Sequence, residues 1–395
     1  MRRIDAAQRR ARLGVRHRLA APGDGGLADV ARSVVALHAT DPASVFLAAW
    51  ARLRDPQVKS IERELYDERQ VLRMLGMRRT MFVAPVETAP VVQAACTRAV
   101  ARRERRMLVQ LLERAGFGAG RDVAAWLAEV EESTARLLAR RGEATAAELA
   151  QDEPRLRERV VLGAGTSSEA AQNLTTKVLF LLAADGRIVR GRPRGSWVSS
   201  QYRWASMESW VPGGLAEVPV DEAQAALARA WLAAFGPGTA TDLRWWTGWT
   251  AAEVKRALAR VGAVAVALDE GTGYVLPDDV DPVPAGEPWA ALLPALDPTP
   301  MGWAGRDWFL GGHRTAIFDR TGNIGPSVWW DGRVVGGWAQ RGSGEVAFRL
   351  LEDVGAQAGA AIAAAARRLG GWLGPVRVTP RFRTPLEREL RAQAP

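Results

Sequence analysis

The residues best suited to chemistry are Leu37-His38-Ala39-Thr40-Asp41-Pro42. Pro42 disfavours helix at the residue before it, so this joint is expected to be extended. Along an extended chain, positions i and i+2 point to one side, which aims His38 and Thr40 at one small volume. An imidazole that takes up a proton near neutral pH, set beside a hydroxyl, positions and activates water. A plainer reading stands next to it: His38 caps a helix C-terminus and Thr40 starts a turn. Asp41 reads as the N-cap of a helix opened by Pro42, with a second role open, to balance a cationic His38.

The other candidates are basic. Lys plus Arg number 53 against 44 Asp plus Glu, a net charge of +9, and lysine occurs only at Lys59, Lys177 and Lys255. Arginine forks onto phosphate, so double-stranded DNA is the expected partner, with a merely basic surface as the alternative. Arg78 and Arg79 follow an expected hairpin turn and are candidate phosphate contacts. Arg187, Arg190, Arg192 and Arg194 crowd a glycine-rich tip, a stronger signal for DNA contact. His313 and Arg314, after Gly311-Gly312, are expected on a hairpin that probes the minor groove. Cys96 is the only cysteine and lies among Ala and Val, so it reads as packing. One cysteine and three separated histidines exclude an intrachain disulfide and leave little for a metal. No apolar run approaches a membrane span, and Met1–Arg10 lacks the apolar core of a signal peptide, so a cytoplasmic, nucleoid-associated protein is expected.

The elements that must position these residues come in a repeated order. Helical patterns over 5–20 and Leu27–Leu37 and the helix from Asp41-Pro42 precede a short helix near Ser60–Asp67. Strands at Gln70–Met74 and Arg78–Val83 then flank Leu75-Gly76-Met77. Long helices over 86–115 and 122–140 lead to a second round. In it, short helices follow Thr145 and Pro154, a strong helix spans Ser168–Ala184, and a wing runs Arg187–Arg190, Gly191–Gly195, Ser196–Ser199. The third round has helices at Asp221–Phe235, Ala240–Trp246 and Ala251–Arg260, then a hairpin of Val264–Leu268 and Gly273–Leu276. Beyond Pro282 the texture becomes rich in Gly and Trp. Short strands are expected at Asp307–Leu310, Thr315–Phe318, Ser327–Trp330, Val334–Trp338 and Glu345–Leu350. A helix at Gly355–Leu369 and a strand at Val376–Val378 follow.

This pattern predicts an α+β chain: three tandem winged-helix domains and a small β-barrel. The expected boundaries are 1–85, 86–215 with the long connecting helices, 216–282 and 283–395. Winged helices offer a helix and a wing to DNA. Two readings follow: a transcriptional regulator, or a monomer whose units curve around one duplex and carry a catalytic groove.

The chain resembles the AlkZ/YcaQ-type DNA glycosylases, also described as winged helix DNA-binding domain proteins. The resemblance covers nearly the whole length. It rests on Leu37–Pro42 followed by Leu47–Arg52, on Met77–Val83 and Gly238–Leu243, and on Leu292–Pro298 and Asp331–Trp338. It implies a C-shaped clamp on DNA that hydrolyses the N-glycosidic bond of N7-alkylated guanines, including interstrand crosslinks in some members, in base excision repair or self-resistance to a genotoxic natural product. Members carry Gln-x-Gln or Gln-x-Asp before the Asp-Pro; His38 and Thr40 stand there in this chain. The implied substrate is double-stranded DNA carrying alkylated purines, the expected state is a monomer, and no metal or other cofactor is called for. The alternative is a DNA-binding protein of this architecture that does not excise.

Overall fold

The computed structural model describes residues 1–117, 120, 122–162 and 170–393. Three small antiparallel sheets share one topology. In the first, β1 (Leu37–His38) is followed by the helix Pro42–Trp50 and by Val58–Glu62, which continues into a π turn at Arg63–Asp67. The hairpin β2 (Val71–Leu75) and β3 (Met81–Pro85) comes next, with sheet order β1-β3-β2. In the second, β4 (Glu143–Ala144) precedes the helix Ala146–Asp152. A two-stranded excursion of β5 (Arg159–Leu162) and β6 (Ala170–Asn173), the helix Leu174–Ala184, and the hairpin β7 (Ile188–Pro193) and β8 (Tyr202–Ser206) complete it, in order β4-β8-β7. In the third, β9 (Gly238–Thr239), the helices Ala240–Thr247 and Ala251–Arg260, and the hairpin β10 (Val264–Leu268) and β11 (Gly271–Val275) give order β10-β11-β9. Each time a two-residue strand leads into helices and is then covered by the return strand of a hairpin.

Local chemistry explains the helix starts. Asp41, Thr145, Thr239 and Thr250 each accept a backbone N–H of the first turn. At the three threonines Glu148, Asp242 and Glu253 bond back to the cap, closing capping boxes. Residues 89–114 form one helical run, as expected, interrupted by a π segment at Gln93–Thr97.

Several expected elements differ. Arg78 and Arg79 lie within the turn between β2 and β3, not on the strand after it. The return strand of the second wing is Tyr202–Ser206; Ser196–Ser199 lies in the turn. The expected helix from Ser168 begins at Leu174, after strand β6, and its first two residues, Ser168 and Glu169, fall outside the described residues. Asp307–Leu310 and Arg314–Ile317 are single helical turns rather than strands, and Val376–Val378 is irregular. Four-residue apolar runs fit a turn of buried helix as well as a strand, and periodicity alone does not separate them.

The last sheet runs in chain order through β12 (Ala290–Leu293), β13 (Ser327–Trp330), β14 (Arg333–Gln340) and β15 (Val346–Leu350). Its outer strands β12 and β15 do not pair with each other, so it is an open sheet and not a closed barrel. The helices Gly355–Leu373 and Pro385–Ala392 pack beside it.

One continuous apolar core joins the first sheet, the third group of helices and the last sheet, with Trp231, Trp329 and Trp338 wholly buried. A separate core, from Leu108 to Trp204, serves the second group. An ion pair fastens the first helices to the last sheet. Arg52 grips Asp297 with two bonds of 2.8 and 2.6 Å, both side chains 0% exposed. Arg52 also donates to Ala48 O and Thr299 Oγ1, so the buried charge is well served.

Candidate active site

The register of the first sheet sorts its side chains. His38 stands opposite Phe82, and Phe82 opposite Met74; Leu37 stands opposite Val83, and Val83 opposite Arg73. Directly opposed residues share a face and neighbours along a strand alternate. His38 therefore occupies one face and Arg73 the other.

Extended backbone continues past β1. Ala39 N donates to Met81 O at 2.8 Å, Arg73 Nη1 donates to Ala39 O at 2.8 Å, and Asp41 has φ −100°, ψ 120°. The chain bends at half-buried Thr40 and Asp41, and no hydrogen bond joins the side chains of His38 and Thr40 among the described residues. His38 is 7% exposed, its ring 5.3 Å from that of Phe82, and its Nδ1 is buried without a partner. Burial, and then the Arg78 cation, push its pKa down to about 3. The imidazole is neutral at physiological pH and keeps a lone pair to offer. Asp41 faces elsewhere: its carboxylate accepts Ala43 N at 3.1 Å and Arg381 N at 3.0 Å, and burial raises its pKa. It is the helix cap, and the role of balancing a cationic His38 falls away.

Arg78 and Arg79 both hold left-handed backbone, φ 51° and 61°. Non-glycine residues adopt this only at a cost, which fixes where each side chain leaves the turn. They diverge. Arg79 pairs with Glu104 at 3.0 Å and lies over Phe180. Arg78 lies 3.8 Å over the ring of half-buried Trp245, and Arg306 lies 4.7 Å from the same ring. Arg306 and Arg314 both stand 5.1 Å from Phe318. Burial depresses Arg78 to about 10; burial, then Arg314 and Arg78, do the same to Arg306. Among the described residues, none of the three is in an ion pair.

The second wing is different. Arg187 pairs with Glu132 at 2.6 Å. Arg190 lies over Tyr202 and Trp204, and Arg192 pairs with Asp67 at 2.9 Å while covering Tyr66. Arg194 is exposed, with no side-chain partner among the described residues. On the far face of the first sheet Arg73, 2% exposed, lies 4.8 Å over Tyr202 and so ties the first sheet to this wing. His313 is not on a hairpin: it precedes the turn Arg314–Ile317, and its Nε2 contacts Glu352 at 3.1 Å. Cys96 is buried and its thiol pushed up to about 12 by that burial. Among the described residues, no three His, Cys, Asp or Glu side chains gather as a metal site, and no helix is long and apolar enough to cross a membrane.

Sequence reasoning missed Trp245 and Arg306. Neither lies near His38 in sequence, and a tryptophan among sixteen is unremarked until its neighbours are known.

The family model described as DNA glycosylase AlkZ-like matches residues 31–372, and the chain belongs to that family. Among solved structures it is similar to the Streptomyces sahachiroi DNA glycosylase AlkZ. The TM-score is 0.73 with 21% sequence identity, over 93% of this chain and 97% of that one, a likeness of fold. A comparison with curated proteins returns no match.

Proposed function

We propose that this DNA glycosylase is monofunctional and releases N7-alkylated guanine, bulky adducts included, using His38 and Thr40. The observation that carries the reading is the unpartnered Nδ1 of a neutral His38, two residues from Thr40 in the joint before the helix Pro42–Trp50. An N7-alkylated guanine is cationic, so its C1′–N9 bond breaks with the electron pair leaving on N9 and the base departs neutral. The enzyme need not protonate the leaving group. It must hold a water for C1′ as the sugar becomes an oxocarbenium ion. His38 accepts a hydrogen bond from that water and Thr40 fixes its other side. As the C1′–O bond forms, the attacking water's extra proton passes to bulk solvent, leaving a neutral C1′ hydroxyl. A base held near pKa 3 orients water better than it strips it, which suits so reactive a substrate.

The three repeated groups are winged helices in this reading. The chain acts as a monomeric clamp on duplex DNA in the nucleoid, with Arg78 and Arg194 on the backbone and His313 and Arg314 toward the minor groove. An open clamp suits lesions too large to be flipped into a closed pocket. It would serve base excision repair or self-resistance to an alkylating natural product. A second reading, DNA binding without excision, is favoured by one observation: among the described residues the charge that shifts His38 is the Arg78 cation and not a carboxylate. The test is release of free 7-methylguanine and of a bulkier N7-guanine adduct from alkylated duplex. Release supports the first reading; intact adducts on bound DNA support the second.

A further inference from the structure

We propose that Arg78, Trp245 and Arg306 form a seat for one backbone phosphate of the strand that carries the target nucleotide. The inference rests on the DNA-glycosylase reading and adds a binding subsite to it.

Charge accounting comes first. Many arginines of the protein are neutralised: Arg79 by Glu104, Arg192 by Asp67, Arg52 by Asp297. Arg78, Arg306 and Arg314 share no carboxylate among the described residues. Arg306 is only 5% exposed; its one side-chain hydrogen bond is a 3.9 Å contact to Met301 Sδ, and its Nε is buried without a partner, as is that of Arg78. Buried guanidinium groups with unmet N–H donors, set close enough to repel one another, are costly unless an anion completes them.

Geometry comes second. Trp245 lies against two guanidiniums, 3.8 and 4.7 Å from its ring centroid. Stacking on an aromatic face fixes the guanidinium planes, and the N–H edges are left to fork onto an oxyanion. The three residues come from separate stretches: the strained turn between β2 and β3, the helix Ala240–Thr247, and the segment after β12. Three distant stretches converge on one cationic spot; the carboxylate felt by Arg306, Asp242, is engaged by Ala304 N and Gly305 N and forms no ion pair with it.

Location comes third. The Arg78 turn closes the hairpin whose Phe82 stands opposite His38, and the Arg78 cation is felt at the imidazole. A phosphate held there would fix the sugar beside it relative to His38. It would also cancel the positive field that opposes proton uptake by the imidazole, so bound DNA would make His38 a better acceptor than the free enzyme has.

On the opposite face Arg73, whose Nε and Nη2 are also buried without a partner, donates to Ala39 O, shares the Tyr202 ring with Arg190 and lies within the field of the Asp41 carboxylate.

The test uses the full chain and a lesion-bearing duplex with a single methylphosphonate, an uncharged linkage, moved one step at a time past the target nucleotide. With wild type, one linkage position is expected to weaken binding by about tenfold, and its neighbours much less, as for loss of one charge-assisted contact. In Arg306→Gln, checked for fold by thermal melting, that selective position is expected to vanish. The slope of log K against log salt is expected to fall by about 1. Equal tolerance of every uncharged linkage by wild type overturns the seat without any mutant, as does an unchanged salt slope in folded Arg306→Gln. Base release is read in the same samples. Release that persists with no selective linkage sinks the seat alone, whereas a selective linkage without release supports the seat and sinks the excision reading.

Discussion

Two hairpins of this protein are rich in arginine, and they use it in opposite ways. In the second wing, Arg187 and Arg192 meet Glu132 and Asp67, while Arg190 is laid over Tyr202 and Trp204. In the turn of the first hairpin, Arg78 meets an aromatic ring and another cation. A run of basic residues therefore does not mark a DNA contact by itself. What decides is whether acids of the same molecule lie within reach. Three of the wing's four arginines are engaged within the protein and Arg194 is exposed, whereas the turn with two leaves Arg78 without a carboxylate partner among the described residues.

The sharpest way to break this comparison is to remove arginines of each kind. The largest effect is expected from one in neither hairpin. Arg52→Ala leaves Asp297 buried and unpaired, so unfolding by denaturant should show a loss of about 3–5 kcal/mol. Next comes Arg78→Ala, which should weaken binding to duplex DNA by about tenfold or more while leaving the melting temperature close to wild type. An Arg192→Ala variant that lost as much DNA affinity as Arg78→Ala would dissolve the distinction between the hairpins.

A pH series sharpens it further. His17 and His38 both have pKa values pushed down to about 3 from 6.5, chiefly by burial. The unfolded chain then binds more protons than the folded one between those values. Stability is fully present above pH 6.5 and is lost as the pH falls toward 3. Between pH 6 and 5 the histidine contribution to unfolding should approach two protons taken up per molecule, and one in a His38→Gln variant. Identical slopes in the two proteins would place His38 in contact with solvent. The smallest effect belongs to Arg187→Ala. Its pair with Glu132 is half-exposed, so stability should fall by no more than about 1 kcal/mol.

Much of this arrangement was legible beforehand. Pro42 and Asp41 announced the helix after them, and Thr145 announced its own. The turn conformation of Arg78 was not legible, because nothing marks a left-handed arginine where glycine is the usual signal. The two helical turns after residue 306 read as strands because four apolar residues satisfy either period. Trp245 and Arg306 escaped notice for a different reason. Their meaning depends on which carboxylates are absent around them, and only the folded chain shows that.

Two motifs that support the family resemblance also gained a physical meaning. Arg52, at the end of Leu47–Arg52, and Asp297, within Leu292–Pro298, are the two halves of the buried ion pair. The motifs mark the joint between the first sheet and the last, 245 residues apart in the chain.

The account turns on His38. The direct measurement is single-turnover release of 7-methylguanine from alkylated duplex by wild type, His38→Ala and Thr40→Val, with DNA binding followed in parallel. The expected result is release by wild type, a loss of about a hundredfold or more in His38→Ala, a smaller loss in Thr40→Val, and binding retained in all three. Release by His38→Ala at the wild-type rate would contradict the account and move the chemistry to another part of the molecule.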